Sequence, residues 1–410
     1  MNAPVLLVDP PRDPFWPLAA TRPVAAILAG TRTFRARWEA RAGGPVGVWS
    51  DPEVAGAAFR PASRPGLGQW PDEVEEGLTV VVSSWVPPAA PEPAAGPVEW
   101  RVGDHAVGWR LDAEHARRIG ADPPKDPATL RTRLRDLDLP AREAEGPFLD
   151  SIWSLMHANP ELIVADAGEF DGADAVSGVD PLVLLGEAAE LSVGADVAIG
   201  PFVVLDVREG PIVLDEGSRI APHATLRGPL YLGAGSTILG GEIGSGSSIG
   251  PRSKIRGEVE QTIVQGFANK AHDGFVGHSV IGEWVNLGAD TVTSDLKNTY
   301  GPVRVEDARG VVETGLMKVG AFLGDHVKTG IGTLLTTGAR IGVGSHAFGG
   351  RAVTPRFLPD FSWFDGAERS DVRWEPFERA ATTAMARRRE SMDGPERAML
   401  RALHAAATGR

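Results

Sequence analysis

Aliphatic residues recur at every sixth position through the second half of this 410-residue chain, and that spacing constrains the fold more than anything else in it. Leu185, Leu191, Val197 and Val203 follow the period, as do Leu214, Ile220, Leu226, Leu232 and Ile238. After a one-residue slip it resumes at Ile243, Ile249 and Ile255. It continues at Ile281 and Leu287 and closes on Leu323, Thr329, Leu335, Ile341 and Ala347. Glycine often follows the aliphatic residue, as in Leu232-Gly233, Ile249-Gly250 and Ile341-Gly342. Such a period fits neither the ~3.6-residue repeat of a helix nor the ~2-residue alternation of a strand. It fits a triangular coil whose sides each hold one strand and one turn, with the aliphatic side chain pointing inward. The expected architecture is a left-handed parallel β-helix. Its coils bury apolar surface only against one another, so the ends need covering. Glu375–Met392 and Pro395–Ala407, split by Asp393-Gly394, read as two helices and are expected to form a C-terminal helical cap.

The first 160 residues lack the period. Val5–Val8 and Leu78–Val82 are apolar strand candidates, and Trp100–Val102 with Ala106–Arg110 predicts a hairpin around Gly103-Asp104. Thr31–Ala42, Thr129–Leu137 and Phe148–His157 read as helices, the last stopped by Asn159-Pro160, and Pro87–Pro97 reads as a loop. This alternation predicts a small α/β domain over 1–160. A linker over 161–180, the β-helix over 181–355 and the helical tail over 356–410 complete the expected organisation. Asp295–Gly320 interrupts the period and is expected to leave the coil as a loop.

Composition enters mainly as exclusion. Gly 50 and Pro 33 would suggest low complexity, but the glycines follow the repeat. A net charge of -13 argues against nucleic acid or an anionic membrane surface as partner. With Cys 0, no disulfide, thiolate nucleophile or Cys-bound zinc is available. No apolar run approaches the ~18 residues of a membrane-spanning helix. Met1–Asp9 lacks a charged segment ahead of a long apolar run, so a cytoplasmic location is expected.

Residues 254–298 carry Lys270-x-His272, Phe275-Val276-Gly277, Ile281-Gly282 and Val285-Asn286-Leu287-Gly288-Ala289-Asp290-Thr291. This segment resembles the acetyltransferase part of the GlmU-like sugar-1-phosphate nucleotidylyltransferase/N-acetyltransferases. Phe15-Trp16-Pro17-Leu18-Ala19-Ala20-Thr21-Arg22-Pro23-Val24 is similar to the stretch just after that family's nucleotide loop. The resemblance implies a homotrimer, acetyl-CoA as co-substrate, and a small-molecule sugar phosphate or nucleotide sugar as acceptor. It implies His272 as general base, Asn286 as the amide that positions the amine, and Lys270, Phe275, Lys297 and Arg22 as substrate contacts. Coenzyme A would lie near Ala289 and Lys328. A neutral imidazole suits the base's task, because the attacking amine must lose a proton near pH 7.

The first domain departs from the family. Where a glycine-rich loop should wrap phosphates stands Val8-Asp9-Pro10-Pro11-Arg12-Asp13-Pro14, without glycine and with three prolines that offer no N–H. Val24 replaces a lysine, and the strand expected to end in a Mg²⁺-binding Asp is followed by Trp85. Mg²⁺ is therefore expected only if this domain is active, and Asp9, Arg12 and Arg22 are left to hold a sugar phosphate or nucleotide. In the second domain Phe275 stands for a family tyrosine, Asp290 for glycine and Asp295 for asparagine. Two other readings remain open at this point. One is a zinc site built from His223, His272, His278, His326 and His346, as in the trimeric β-helix carbonic anhydrases. The other is a non-enzymatic sugar-nucleotide-binding scaffold.

Overall fold

From Leu214 to Ala347, every aliphatic member of the six-residue series enters one continuous apolar interior. A computed structural model describes residues 4–55, 70–71, 74–91, 96–170, 181–307, 310–350 and 352–409. Two compact units divide the chain: Met1–Ile27 with Arg32–Ser151, and Leu28–Thr31 with Ile152–Arg410.

The second unit is a left-handed parallel β-helix followed by C-terminal helices. One face is a ladder of nine parallel strands from Leu191–Val193 to Phe357–Leu358. A second face runs from Ala198–Ile199 through Lys254, Asn269, Asn286 and Lys328 to Ser362–Phe364. The third stacks Leu184 on Leu205, Leu205 on Leu226 and Leu226 on Ile243. Here the inward residue of the first coil is Leu184, while Leu185 takes no part in the interior. One corner is set by left-handed backbone at Arg252, Phe267, Trp284, His326 and Phe361, with φ between 53° and 61°. Such φ values strain a residue with a Cβ. In the coil between His326 and Phe361 the corner is Gly344, and the space it leaves is filled by the rings of Phe361 and Phe377.

Three expectations need correction. The helix expected to stop at Asn159-Pro160 runs from Ile152 to Ala167, straight through Pro160. Proline cannot supply the N–H that the Met156 carbonyl would normally accept. The Gln261 side-chain amide donates to that carbonyl instead, at 3.3 Å. Residues 161–170, expected as linker, therefore begin as helix, and 171–180 lie outside the described residues. The tail is no simple end cap. A hairpin of Ser362–Phe364 with Arg369–Asp371 closes the last coil, while the tail helices lie along the corner. Phe377 meets His326 and Phe361 edge-on, and Arg388 exchanges hydrogen bonds with Arg252, several coils below. Asp295–Gly320 does leave the coil, as expected, and carries the antiparallel strands Arg304–Asp307 and Gly310–Glu313.

The first unit holds a six-stranded mixed sheet ordered Gly47–Trp49, Val5–Val8, Leu78–Val82, His105–Leu111, Val98–Val102 and Ala141–Glu143. Helices Phe34–Ala42, Ala113–Gly120 and Pro127–Arg135 complete an α/β domain. Each has an N-cap oxygen from Thr33, Asp112 or Asp126 that accepts a backbone N–H of the first turn.

Candidate functional site

Lys270 does not face solvent. It lies in register between Ile255 and Leu287, pointing into the apolar interior, and is 5% exposed. Its Nζ donates to the carbonyls of Arg256 at 2.7 Å and His272 at 2.9 Å. Burial pushes the ammonium down to about 8, against the opposing pull of Asp273 and Asp290. The expected phosphate contact is thus corrected: the ammonium is spent on two main-chain oxygens. His272 follows at an exposed corner, and among the described residues nothing hydrogen-bonds its ring. Asp273 accepts from Arg256 Nε at 3.1 Å rather than orienting that imidazole.

Asn286 accepts from Asn269 Nδ2 at 2.9 Å, an amide ladder across two coils, and Lys328 is the next rung. Lys328 is half-buried, and burial lowers its pKa. The rung after that is His346, whose two ring nitrogens are buried without a hydrogen-bond partner among the described residues. Burial and then the Lys328 charge push His346 down to about 4. Ala289 sits at a corner, its carbonyl accepting from Gly332 N at 2.8 Å. The Phe275 ring lies against Gly277, where a Cβ would come within 2.3 Å of it. Asp295 is paired with buried His278 at 2.7 Å. Burial raises the Asp295 carboxyl, but the His278 bond, its charge and that of Lys318 outweigh it and hold the carboxyl low. Lys297 belongs to the excursion, where its Nζ donates to the Pro302 carbonyl at 2.8 Å.

A groove of about 440 Å³ opens beside the amide ladder. Lys254, Lys328, Arg387 and Arg388 supply its charge, and among the described residues no Asp or Glu lines it. Asn269 and Asn286 lie on its floor. Phe267 and Trp284 form one wall, stacked with ring centroids 4.4 Å apart. His272 is not among the lining residues. Arg387, Arg388, Phe267 and Trp284 escaped the reading of the sequence. The recurrence of Phe267-Ala268-Asn269 and Trp284-Val285-Asn286 at one place in successive coils could have found the wall and floor. The two arginines gave no signal, because a helical tail carries no record of which coil it reaches.

In the first unit, Asp9 is 1% exposed and accepts from Val24 N, Ala25 N, Ser50 Oγ and Ser83 Oγ at 2.7–3.0 Å. Burial raises its pKa against those four donors. Arg12 donates to the Ala19 carbonyl and pairs with Asp51 at 3.0 Å, and Arg22 is 7% exposed. Trp85 is 1% exposed, packs at a tilt against Trp38 and donates to the Glu145 carbonyl. These residues do not fit Mg²⁺: an indole fills the position expected of a ligand, and the nearby carboxylate is saturated by the fold's own donors. Among the described residues no three His, Asp or Glu side chains converge as a metal site. His223 stacks on Phe202, His326 on Trp284, and His278 holds Asp295, so these imidazoles are separately engaged.

Residues 5–174 match the family model described as sugar nucleotidyl transferase. A bifunctional sugar-1-phosphate nucleotidylyltransferase/acetyltransferase of Sulfurisphaera tokodaii is 34% identical over 96 residues, 23% of this chain and 24% of that protein. A bifunctional protein GlmU of Methanococcus aeolicus is 30% identical over 158 residues, covering 36% of each chain. An uncharacterized acetyltransferase, YaiX, of Escherichia coli O6:K15:H31 is 27% identical over 171 residues, 40% of this chain and 72% of that one. The matched stretches thus span 24% and 36% of the two bifunctional relatives. Among solved structures, an Arabidopsis UDP-N-acetylglucosamine acyltransferase overlays 52% of this chain and 80% of its own, with a TM-score of 0.31 and 12% identity.

Proposed function

We propose, for a chain that is GlmU-like in sequence and fold, that its solenoid transfers an acyl group from a coenzyme A thioester, acetyl-CoA first among them, to the amine of an amino-sugar phosphate or nucleotide-activated amino sugar. One observation carries this reading. The Lys-x-His and Val-Asn-Leu-Gly-Ala segments lie in successive coils, with Asn286 flooring a cationic groove and the His272 ring exposed at the corner, its carbonyl held by Lys270. The amine attacks the thioester carbonyl carbon, a C–N bond forms, the C–S bond breaks, and the amine's proton passes through His272 to the departing thiolate. Asn286 holds the acceptor by its side-chain amide, Phe275 packs against the sugar, and Ala289 and Lys328 lie toward the donor. The chain is proposed to act as a homotrimer in the cytoplasm.

Nucleotidylyl transfer by the first unit is disfavoured despite the family match, because Asp9 and Arg12 are occupied within the fold and Trp85 replaces a metal ligand. Thiol release from acetyl-CoA, measured against a panel of amino-sugar phosphates, tests the reading. His272→Ala should lower kcat by about 10²–10⁴ with KM little changed. Full activity in that variant, or the absence of any acceptor, would move the scaffold reading ahead.

A further inference from the structure

We propose that the groove beside the Asn269–Asn286 ladder binds a nucleoside diphosphate, and that one chain builds this site alone by laying the end of its helix Trp374–Ala386 over its own solenoid. The reading rests on the groove and not on the acyl-transfer assignment.

Charge is the first argument. In a chain of net charge -13, Lys254, Lys328, Arg387 and Arg388 converge on one opening that no acidic residue lines among the described residues. Glu390 is close, but it is engaged by Arg252. Arg388 is lowered by burial first and then by the charges of Arg252 and Arg387, so the guanidinium groups crowd one another. Lys328 has no carboxylate within ion-pair distance among the described residues. A fold keeps uncompensated cations at a half-buried place at a cost, and an anion would offset it. Arginine forks and lysine ammonium groups together suit phosphate oxygens.

Shape and chemistry narrow the ligand. About 440 Å³ lies within the range of small-molecule sites, larger than a lone phosphate requires. Asn286 uses its carbonyl on Asn269, leaving its amide N–H pair to donate to a polar group of whatever ligand enters the groove. The stacked Phe267 and Trp284 present apolar surface at the wall. Cations at one side, amides on the floor and aromatic rings at the wall match a diphosphate joined to a nucleoside. That chemistry is shared by the ADP end of coenzyme A and the UDP end of a nucleotide sugar.

Calorimetric titration of the full chain with ADP and with UDP is the test. We expect saturable binding of at least one, weakened about tenfold or more by Arg387→Gln and by Lys328→Gln. Preference for ADP assigns the site to the donor's nucleotide, preference for UDP to a nucleotide sugar. Arg387 is exposed at the helix end, so its variant should fold, and unchanged circular dichroism will verify that. His272→Ala should leave the affinity unaltered, so loss of acyl transfer alone strikes the catalytic reading and spares this one. No binding of either nucleotide at millimolar concentration, or wild-type affinity in both groove variants, overturns the proposal.

Discussion

Lys270 fills a column in which its neighbours are Ile255 below and Leu287 above. The motif led the sequence reading to a phosphate ligand there, whereas the fold turns the side chain inward. The reason lies in coil length: Ile255 pairs with Lys270 fifteen residues on, short of the eighteen of three full sides, so the six-residue count misses the column. Lys270→Met should leave the Arg256 and His272 carbonyls without their donor and cost about 1–3 kcal/mol in denaturant unfolding. It should lower kcat through a loosened His272 corner, with KM for the phosphorylated acceptor nearly unchanged; a large rise in KM would restore the phosphate role. His346 yields a prediction of pH dependence. Its folded pKa is near 4 against an ordinary 6.5, so the unfolded chain binds the extra proton between those values. Stability from this group is complete above pH 6.5 and is lost as pH falls toward 4. His346→Phe should flatten that part of the stability–pH curve, and an unaltered acid slope would show that the loss arises elsewhere.

At the scale of elements, the helix Trp374–Ala386 is fixed to the solenoid by rings more than by charge. Phe377 packs on His326 and Phe361, and His404 reaches Phe361 and Trp374 from the second tail helix. Both helices were legible, the second with its Asp393 cap and early Pro395, but their landing place was not. The aromatic corner residues sit apart from the aliphatic period that reveals the coils. Pro160 misled for a related reason: its lost hydrogen bond is made good by Gln261, about a hundred residues away, which no local pattern reports. Gly344 supplies the test of this docking. A Cβ there would lie 2.7 Å from the Phe361 ring and 3.1 Å from Phe377, on backbone with φ +66°. Gly344→Ala should therefore cost about 1–2 kcal/mol from backbone strain alone and expose the tail to protease. Limited proteolysis that cuts wild type and variant at the same rate would remove the helix from the corner.

For the whole molecule, the period of six and the motif gave away the solenoid, the excursion and the coil of the candidate site. The groove stayed hidden because it is assembled from residues more than a hundred positions apart. Ile331, Val353, Phe348 and Trp363 leave 75%, 61%, 41% and 39% of their surface exposed on the last coils, more apolar surface than a solitary solenoid would favour. Sedimentation equilibrium at micromolar concentration should return three times the 43.3 kDa chain mass, whereas a monomer would count against the trimer. The excursion has its own effect on connectivity, since Val280 pairs with Phe322 while Ile263 pairs with Val280. Closing that longer span costs about 1 kcal/mol more than an ordinary coil, by the logarithm of loop length. The lower coils, through Asn286, can stack while the upper ones are still being synthesised. Lys328 arrives after the excursion, and Arg387 and Arg388 later still. A nascent chain halted before Trp374 would thus already display the entire Lys-x-His segment and yet lack half the groove's cations. Ligand affinity in this protein would be acquired late on the ribosome, withheld from every fragment that stops short of the returning helix.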